Sequence, residues 1–293
     1  MPAYKKQHFL PTSYLKFFSE DQAVCNPQSC VWRYDGDEVR LVPVRSQCFG
    51  DYFYSKENAQ EVEQMFQRRE TIYSQFVEKI RASQESERKS YGDLFLCMAD
   101  IFLRNGIHKN LTTREGLEAY DLRLNLFFSV MLLEKQTESF TKESIKAHLE
   151  SHWRMEIISA PADFKFATSD NPSLFTTCRM PSPNRRAPLQ LILLPLDPAH
   201  IAIAFDKRFM YVQNKPATAL DVRTLNYNQI MSAECCVYKS SQFTGEELVI
   251  LREVFSQKSN AVSEVTPEGW RSYLHYLPLE HHFSFMQMKP LLL

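Results

Sequence analysis

Apolar and polar positions alternate near the start of the chain in a way that is typical of a β-hairpin. Residues 31–34 and 39–42 alternate in this way, and the Asp-Gly-Asp segment at 35–37 supplies the positive φ angle that a tight turn needs. From about residue 56 to residue 87 the apolar period changes to three or four, which predicts one long amphipathic helix. Glu70 falls inside the apolar stripe of this helix, so the pattern places a carboxylate on its packed face.

The remaining pattern predicts further helices in the middle of the chain and strands in its second half. The expected elements are helices over residues 93–104, 112–131, 142–153, 221–232 and 244–255, and strands over residues 164–168, 189–194, 201–205 and 235–238. Neither the hairpin nor the second half completes a core by itself, so the two must meet. The expected fold is α+β: a mixed sheet formed from the N-terminal hairpin and the C-terminal half, with a helical segment, residues 56–155, inserted in a single domain of residues 1–293.

Composition excludes several classes of function. Lys and Arg number 34 against 35 Asp and Glu, so the net charge of −1 does not indicate a broad surface for nucleic acid. Basic pairs such as Lys5-Lys6 and Arg68-Arg69 leave room for nucleic acid at one small cleft. Only 7 glycines are present, and no phosphate-cradling pattern appears. The longest apolar run, residues 126–133, is far shorter than the roughly 20 residues of a membrane span, so no membrane partner is expected.

The cysteines indicate a reducing environment. Their number, 7, is odd, and their spacing matches neither a disulfide framework nor a structural zinc site. The chain also opens on polar residues rather than on a secretory segment. We therefore expect a cytoplasmic protein with free thiols and without structural zinc.

Two polar segments interrupt the apolar framework and are the candidates for chemistry. In the first, His8 lies between the side-chain amide of Gln7 and an apolar step that ends at a proline, so its direction is fixed. In the second, Asp170 follows the predicted strand 164–168 within a turn. Strand ends of this kind are where α/β proteins often display functional groups.

Four segments of the chain together indicate a family. In chain order they are Gln7-His8-x-x-Pro11-x-x-Tyr14-Leu15-x-x-Phe18, Thr168-Ser169-Asp170-Asn171-Pro172, Leu194-Pro195-Leu196-Asp197-Pro198 with the apolar strand after it, and Asn226 or Asn228 before Ala233. By these segments and their order, the chain resembles the uncharacterised family catalogued as domain of unknown function 4238. The Arg-Thr-Pro-like step of that family is replaced here by Leu133-Glu134-Lys135-Gln136-Thr137. The resemblance implies a shared core but no particular activity.

The first functional hypothesis is a hydrolase of phosphodiester bonds, similar to a nuclease. Its catalytic residues would be His8, Glu70 and Asp170, working by acid–base chemistry or with a divalent cation as cofactor. Polar and cationic neighbours would hold the substrate: Lys6, Gln7, Arg69 and Asn171. Under this hypothesis His8 lies within about 10 Å of Asp170, near enough to share a substrate.

The alternative hypothesis is a non-catalytic module that binds a protein or a small molecule. His8 would then tie down the N-terminus, and Asp170 would fix the exit of a strand through its turn. The two hypotheses differ in geometry. A site requires both side chains to converge in an open polar pocket, whereas structural clamps are buried and satisfied locally.

Overall fold

The secondary structure alternates between short strands and helices from the N-terminus onward. The computed structural model describes residues 6–21, 28–51, 53, 59–82, 90–104, 151–178, 189–260, 275–276 and 283–289. The strands within these residues are β1 (Lys6–His8), β2 (Cys30–Tyr34), β3 (Val39–Pro43), β4 (Phe49–Asp51), β5 (Trp153–Ser159), β6 (Thr168–Ser169), β7 (Leu174–Cys178), β8 (Leu189–Asp197), β9 (His200–Asp206), β10 (Met210–Val212), β11 (Val237–Lys239), β12 (His275–Tyr276) and β13 (Met286–Met288). The helices are α1 (Thr12–Lys16), α2 (Ala59–Arg81), α3 (Ser90–Leu103), α4 (Ala219–Ser232) and α5 (Gly245–Asn260).

The N-terminal hairpin completes its sheet with strands from the second half of the chain. β2 pairs with β3 around a turn in which Gly36 has a φ of 97°, as the Asp-Gly segment predicts. On its other side β2 pairs with β11, which in turn pairs with β6. This antiparallel four-stranded sheet, in the order β3-β2-β11-β6, confirms the predicted α+β class and the joining of the two ends.

A second sheet holds the most apolar strands of the chain. Its order within the described residues is β12-β7-β8-β9-β5, antiparallel except for the parallel pair β12–β7. Side chains from β8 and β9 are buried on both faces. Ile192, Leu194, Ala202 and Ala204 pack towards α2 and α3, whereas Leu191, Leu193, Ile201 and Ile203 pack in the cluster that contains Val222 and Leu225 of α4. Burial of both faces explains why these strands are continuous apolar runs.

Two predictions in this sheet were wrong. The predicted helix ended at Trp153, but Trp153 begins β5, which pairs with β9 along its whole length. The predicted strand over 189–194 ended too early, because β8 continues through Pro195 to Asp197. The register shifts between Pro195 and Asp197, and a bulge of this kind accommodates a residue without an N–H group.

The helices described between the hairpin and β5 bury the predicted apolar stripe. Phe66, Tyr73, Phe76 and Val77 of α2 are buried against α1, α3 and the five-stranded sheet. The helix predicted over 112–131 lies outside the described residues, and so does most of the one predicted over 142–153. None of the described helices is long and apolar enough to cross a membrane. The single-domain organisation stays a prediction.

Candidate functional site

His8 ends the short strand β1 beside β4. It lies opposite Phe49 in the strand register, and the centroids of the two rings are 5.6 Å apart. Its Nε2 atom is 3.5 Å from the carbonyl oxygen of Arg45. The backbone carbonyl of His8 accepts a hydrogen bond of 2.7 Å from Nη2 of Arg104. His8 is therefore fixed by its strand and by a guanidinium group from α3's end.

Arg104 is the centre of a charged network between β1, α2 and α3. Its side chain is 1% exposed, and Nη1 donates to Oε1 of Glu70 at 2.8 Å. The same Nη1 is 3.6 Å from Oδ2 of Asp100, which also pairs with Arg69. A buried charge is costly unless partners compensate it, and these carboxylates supply that compensation. We call His8, Glu70, Arg69, Asp100 and Arg104 the Arg104 cluster.

The environment of the Arg104 cluster changes the protonation of its members. Burial lowers the pKa of His8 below its usual 6.5, and this effect exceeds the opposing influence of the Arg45 carbonyl and the Glu70 charge. The nearby charges of Arg104 and Lys6 lower it further. Burial also raises the pKa of Glu63, which lies outside the cluster, about two helical turns before Glu70 on α2. The imidazole of His8 is consequently neutral at physiological pH and able to accept a proton.

The predicted substrate-binding residues of this region differ in accessibility. Lys6 is exposed, with its ammonium group 4.6 Å from the centroid of the Phe49 ring. Gln7 is fully buried and faces Gly50 in the register of β1 and β4. Arg69 is largely buried and pairs with Asp100. Lys6 is thus the accessible cation among these three residues.

Asp170 is held by the backbone that follows α4. Its Oδ1 accepts a hydrogen bond from the N–H group of Glu234 at 2.7 Å, and its Oδ2 accepts from Cys235 and Cys236 at 2.7 and 3.1 Å. The backbone N–H of Asp170 donates to the carbonyl of Cys236. Both oxygens of this carboxylate, which is 5% exposed as a residue, are therefore engaged in fixing the loop before β11. Its charge contributes to raising the pKa of Glu234 to about 7, an effect due mainly to burial.

Asn171 continues this anchor on the same turn. Its Nδ2 donates to the carbonyl of Ser232, and its backbone N–H donates to Oγ of Ser169. Its Oδ1 is buried and makes no hydrogen bond within the described residues. Gln229 completes the anchor, because its side chain bonds both Ser169 and the carbonyl of Pro172. Asp170 and Asn171 thus bind the turn after β6 to the end of α4.

Tyr14 connects the two polar regions through the core. Its hydroxyl donates to the carbonyl of Pro195 at 2.8 Å and lies 2.6 Å from Oγ1 of Thr168, so the threonine hydroxyl is the donor in the second bond. Tyr73 of α2 donates in the same way to the carbonyl of Leu196. Three of the segments that carry the family resemblance therefore meet at one buried phenol.

The structure brings together part of the predicted site. His8, Glu70 and Arg69 belong to the Arg104 cluster with Lys6 beside it, whereas Asp170 and Asn171 contact the end of α4. The approach of His8 to Asp170 within about 10 Å stays a prediction. Sequence reasoning missed Asp100 and Arg104 as members of the network. Their signal was present, because two charges four residues apart interrupt an otherwise apolar predicted helix.

No cluster of three or more His, Cys, Asp or Glu side chains in the described ranges is arranged to hold a metal ion. The family model described as "protein of unknown function (DUF4238)" matches residues 6–243. This range contains every residue of the predicted site. Comparisons with curated proteins and with solved structures gave no match.

Proposed function

Since the chain belongs to the DUF4238 family of proteins of unknown function, we propose an activity from its own side chains: nuclease-like hydrolysis of a phosphodiester bond by acid–base chemistry at the Arg104 cluster. The observation that carries the proposal is that Arg104 donates hydrogen bonds both to the backbone carbonyl of His8 and to the carboxylate of Glu70. These residues are far apart in sequence, and the charge of Glu70 acts on the imidazole of His8, which is a suitable type of group for a general base.

Each residue has a defined role in the proposed reaction. His8 takes a proton from a water molecule as the water oxygen attacks phosphorus. The bond between phosphorus and the leaving oxygen then breaks on the opposite side of phosphorus, that oxygen takes a proton from solvent, and His8 releases its proton to solvent. Glu70 stabilises the imidazolium that exists between these two steps, since its charge favours the protonated form.

The substrate is held by charge in this proposal. Lys6 is exposed beside His8 and would bind a phosphate oxygen as a point charge. Arg69 and Gln7 would orient the strand and helix that carry the site rather than touch the substrate. The alternative, metal-assisted route would recruit a divalent cation to the carboxylates, and loss of activity on chelation distinguishes it from the acid–base route.

The test is hydrolysis of bis(p-nitrophenyl) phosphate and of a fluorescent oligonucleotide by the full chain. We expect His8→Gln to lower kcat/KM about 100-fold or more, as loss of a general base does. We expect Glu70→Gln to reduce kcat. It should also shift the acid limb of the pH profile to lower pH, because the charge of Glu70 raises the pKa of His8. His152→Gln is the matched control, because this half-buried histidine lies before β5 and bonds to Ser151.

The outcomes that contradict the proposal are equally definite. Wild-type protein without activity on either substrate would overturn it, and so would a His8→Gln variant that keeps full activity. Thermal melting of each variant separates a chemical effect from unfolding. An acid limb of the kcat/KM profile below pH 6.5 is expected, because the pKa of His8 is lowered from that value.

A second candidate function is the non-catalytic binding module, and the contacts of Asp170 favour it. Both carboxylate oxygens of Asp170 are used to anchor backbone N–H groups, as a structural clamp requires. The two candidate functions predict different effects of replacing His8. A binding module keeps its fold and its partner when His8 is replaced, while the hydrolase loses its base.

We also propose that the protein is cytoplasmic, a compartment in which thiols are kept reduced. Within the described residues, no disulfide is formed by the cysteines at positions 30, 48, 97, 235 and 236. Titration of the denatured, unreduced protein should find all 7 thiols free. A markedly lower number would contradict the cytoplasmic location.

A further inference from the structure

A cleft of about 290 Å³ lies at the turn between β8 and β9. Its walls come from three parts of the chain: the end of α2, the segment after β5, and the turn itself. The lining residues are Arg81, Ala160, Pro161, Ala162, Phe164, Lys165, Asp197, Pro198, Ala199 and His200. The cleft therefore combines apolar walls with charged and titratable groups, which is the usual composition of a small-molecule site.

His200 and Asp197 form a rigid pair in this cleft. Asp197 is 2% exposed, and its Oδ1 accepts hydrogen bonds from the backbone N–H groups of Ala199 and His200 at 2.7 and 2.8 Å. Nδ1 of His200 lies 3.0 and 3.1 Å from the two oxygens of the same carboxylate. A carboxylate accepts, so Nδ1 carries a proton and donates it. Nε2 is then the ring nitrogen that remains for a ligand.

Cations and an aromatic ring surround this pair. Nε of Arg81 is 4.0 Å from Oδ2 of Asp197, and Lys165, which also lines the cleft, is exposed. The guanidinium of Arg223 lies 5.8 Å from the centroid of the Phe164 ring. Arg81 and Lys165 outnumber the single carboxylate of the lining, so the cleft carries net positive charge even when His200 is neutral. Such a lining favours an anion.

We propose that this cleft binds a small ligand with an oxyanion head group, phosphate or carboxylate, attached to a short apolar body. Lys165 and Arg81 neutralise the head group, and His200, oriented by Asp197, donates a hydrogen bond to it from Nε2 in the imidazolium form. Phe164, Pro161 and Pro198 cover the apolar body. The volume of about 290 Å³ lies at the lower end of the range of ligand pockets, roughly 300–1,000 Å³, so the ligand is a small molecule.

The cleft is independent of the Arg104 cluster. None of its lining residues belongs to that cluster. A negative result for hydrolysis therefore does not affect the proposed ligand site, and absence of ligand binding does not affect the proposed hydrolysis. Sequence reasoning named Asp197 and Pro198 only as part of the family resemblance and assigned no role to His200.

The experiment is a titration of the full chain, labelled with ¹⁵N in its histidines, and observed by NMR. The probes are phenyl phosphate, inorganic phosphate and benzoate, with phenol as the neutral comparison. We expect a saturable shift of the His200 ring signals with phenyl phosphate, weaker binding of inorganic phosphate, and no effect of phenol. Comparison of phenyl phosphate with benzoate decides between the two head groups. The signals of His152 should remain in place.

Substitutions decide whether the shift reports this cleft. We expect Lys165→Gln and Arg81→Gln each to weaken phenyl phosphate binding about tenfold, as loss of a charge-assisted contact does. Arg208→Gln is the matched control, because it removes one positive charge at the far end of β9, where Arg208 pairs with Asp206. Absence of a shift with every anion at millimolar concentration would overturn the proposal. Equal shifts of His200 and His152, or unchanged affinity in both cleft variants, would overturn it as well.

Discussion

Buried charged side chains in this protein stabilise loops by hydrogen-bonding to backbone groups. Asp170 is the clearest example, because one buried carboxylate accepts the backbone N–H groups of Glu234, Cys235 and Cys236. Without it these donors would lose the acceptor that joins their loop to the turn after β6. A buried donor without an acceptor costs about 1–3 kcal/mol.

The Asp170→Asn variant tests this anchor. The amide keeps one accepting oxygen but turns an NH₂ group towards an N–H donor, so we expect the free energy of unfolding to fall by about 3 kcal/mol. Urea denaturation followed by circular dichroism measures the change. Asp163→Asn is the control, because Asp163 is exposed. A stable variant that has lost hydrolytic activity would instead assign Asp170 to the chemistry.

Secondary-structure elements with a local signal were predictable from the sequence. The hairpin was confirmed because its turn chemistry and its alternation agree. The helix predicted over 244–255 was confirmed as α5, whose start carries a local signal: Thr244 and Glu247, three residues apart, form a capping box. β5 was missed although Trp153-Arg154-Met155-Glu156 alternates, since no strand was predicted between the helix over 142–153 and the strand over 164–168.

Contacts between elements were beyond the reach of sequence patterns. The position of Glu70 inside an apolar stripe indicated that it needs a partner, and Arg104 supplies it. Which cation would do so depends on how α3 packs against α2, and periodicity does not specify this. The same holds for the His200–Asp197 pair. The cation beside it, Arg81, comes from the end of α2, which is distant in sequence.

The N-terminus of α4 makes a pH-dependent contribution to stability. Burial alone would raise the pKa of Asp221, but hydrogen bonds from Ser284 and Thr218 outweigh it and hold the pKa below its usual 3.8. The folded-state pKa is thus depressed. The contribution to stability is present above the unfolded-state value and is lost as the pH falls through the folded-state value.

We expect Asp221→Asn to lower the free energy of unfolding at neutral pH and to converge with wild type below the usual pKa of 3.8. Urea denaturation at a series of pH values measures the difference. Asp163→Asn should follow wild type throughout. A difference that stays constant with pH would mean that the lost hydrogen bonds, rather than the charge, account for the effect.

At the scale of the whole molecule, the two ends of the chain share their sheets and cores. The hairpin sheet needs β11 and β6, and the apolar faces of α2 and α3 pack against the five-stranded sheet. The segment 283–289 follows the region that the family model matches, yet β13 pairs with β10 and Ser284 bonds to Asp221. These connections support the prediction of a single domain.

A fragment of residues 1–155 tests this prediction. It would lack the strands that complete the hairpin sheet and the five-stranded sheet, so we expect no cooperative unfolding transition. Limited proteolysis of the full chain, followed by mass spectrometry, should give no folded product that ends near residue 155. A stable fragment with a sharp melting transition would show that the first half has its own core.

The buried hydroxyl of Tyr14 also sets the order in which the protein can be completed during synthesis. Its partners are separated from it by 154 and 181 residues, Thr168 and Pro195 respectively. A ribosome adds about 5–20 residues per second, so the N-terminal segment emerges roughly 10–40 s before its acceptor on β8 exists. During that interval its apolar side chains have no partner strand. We therefore expect nascent chains of this protein to be clients of ribosome-associated chaperones, to a degree that crosslinking of stalled chains shorter and longer than 195 residues would measure.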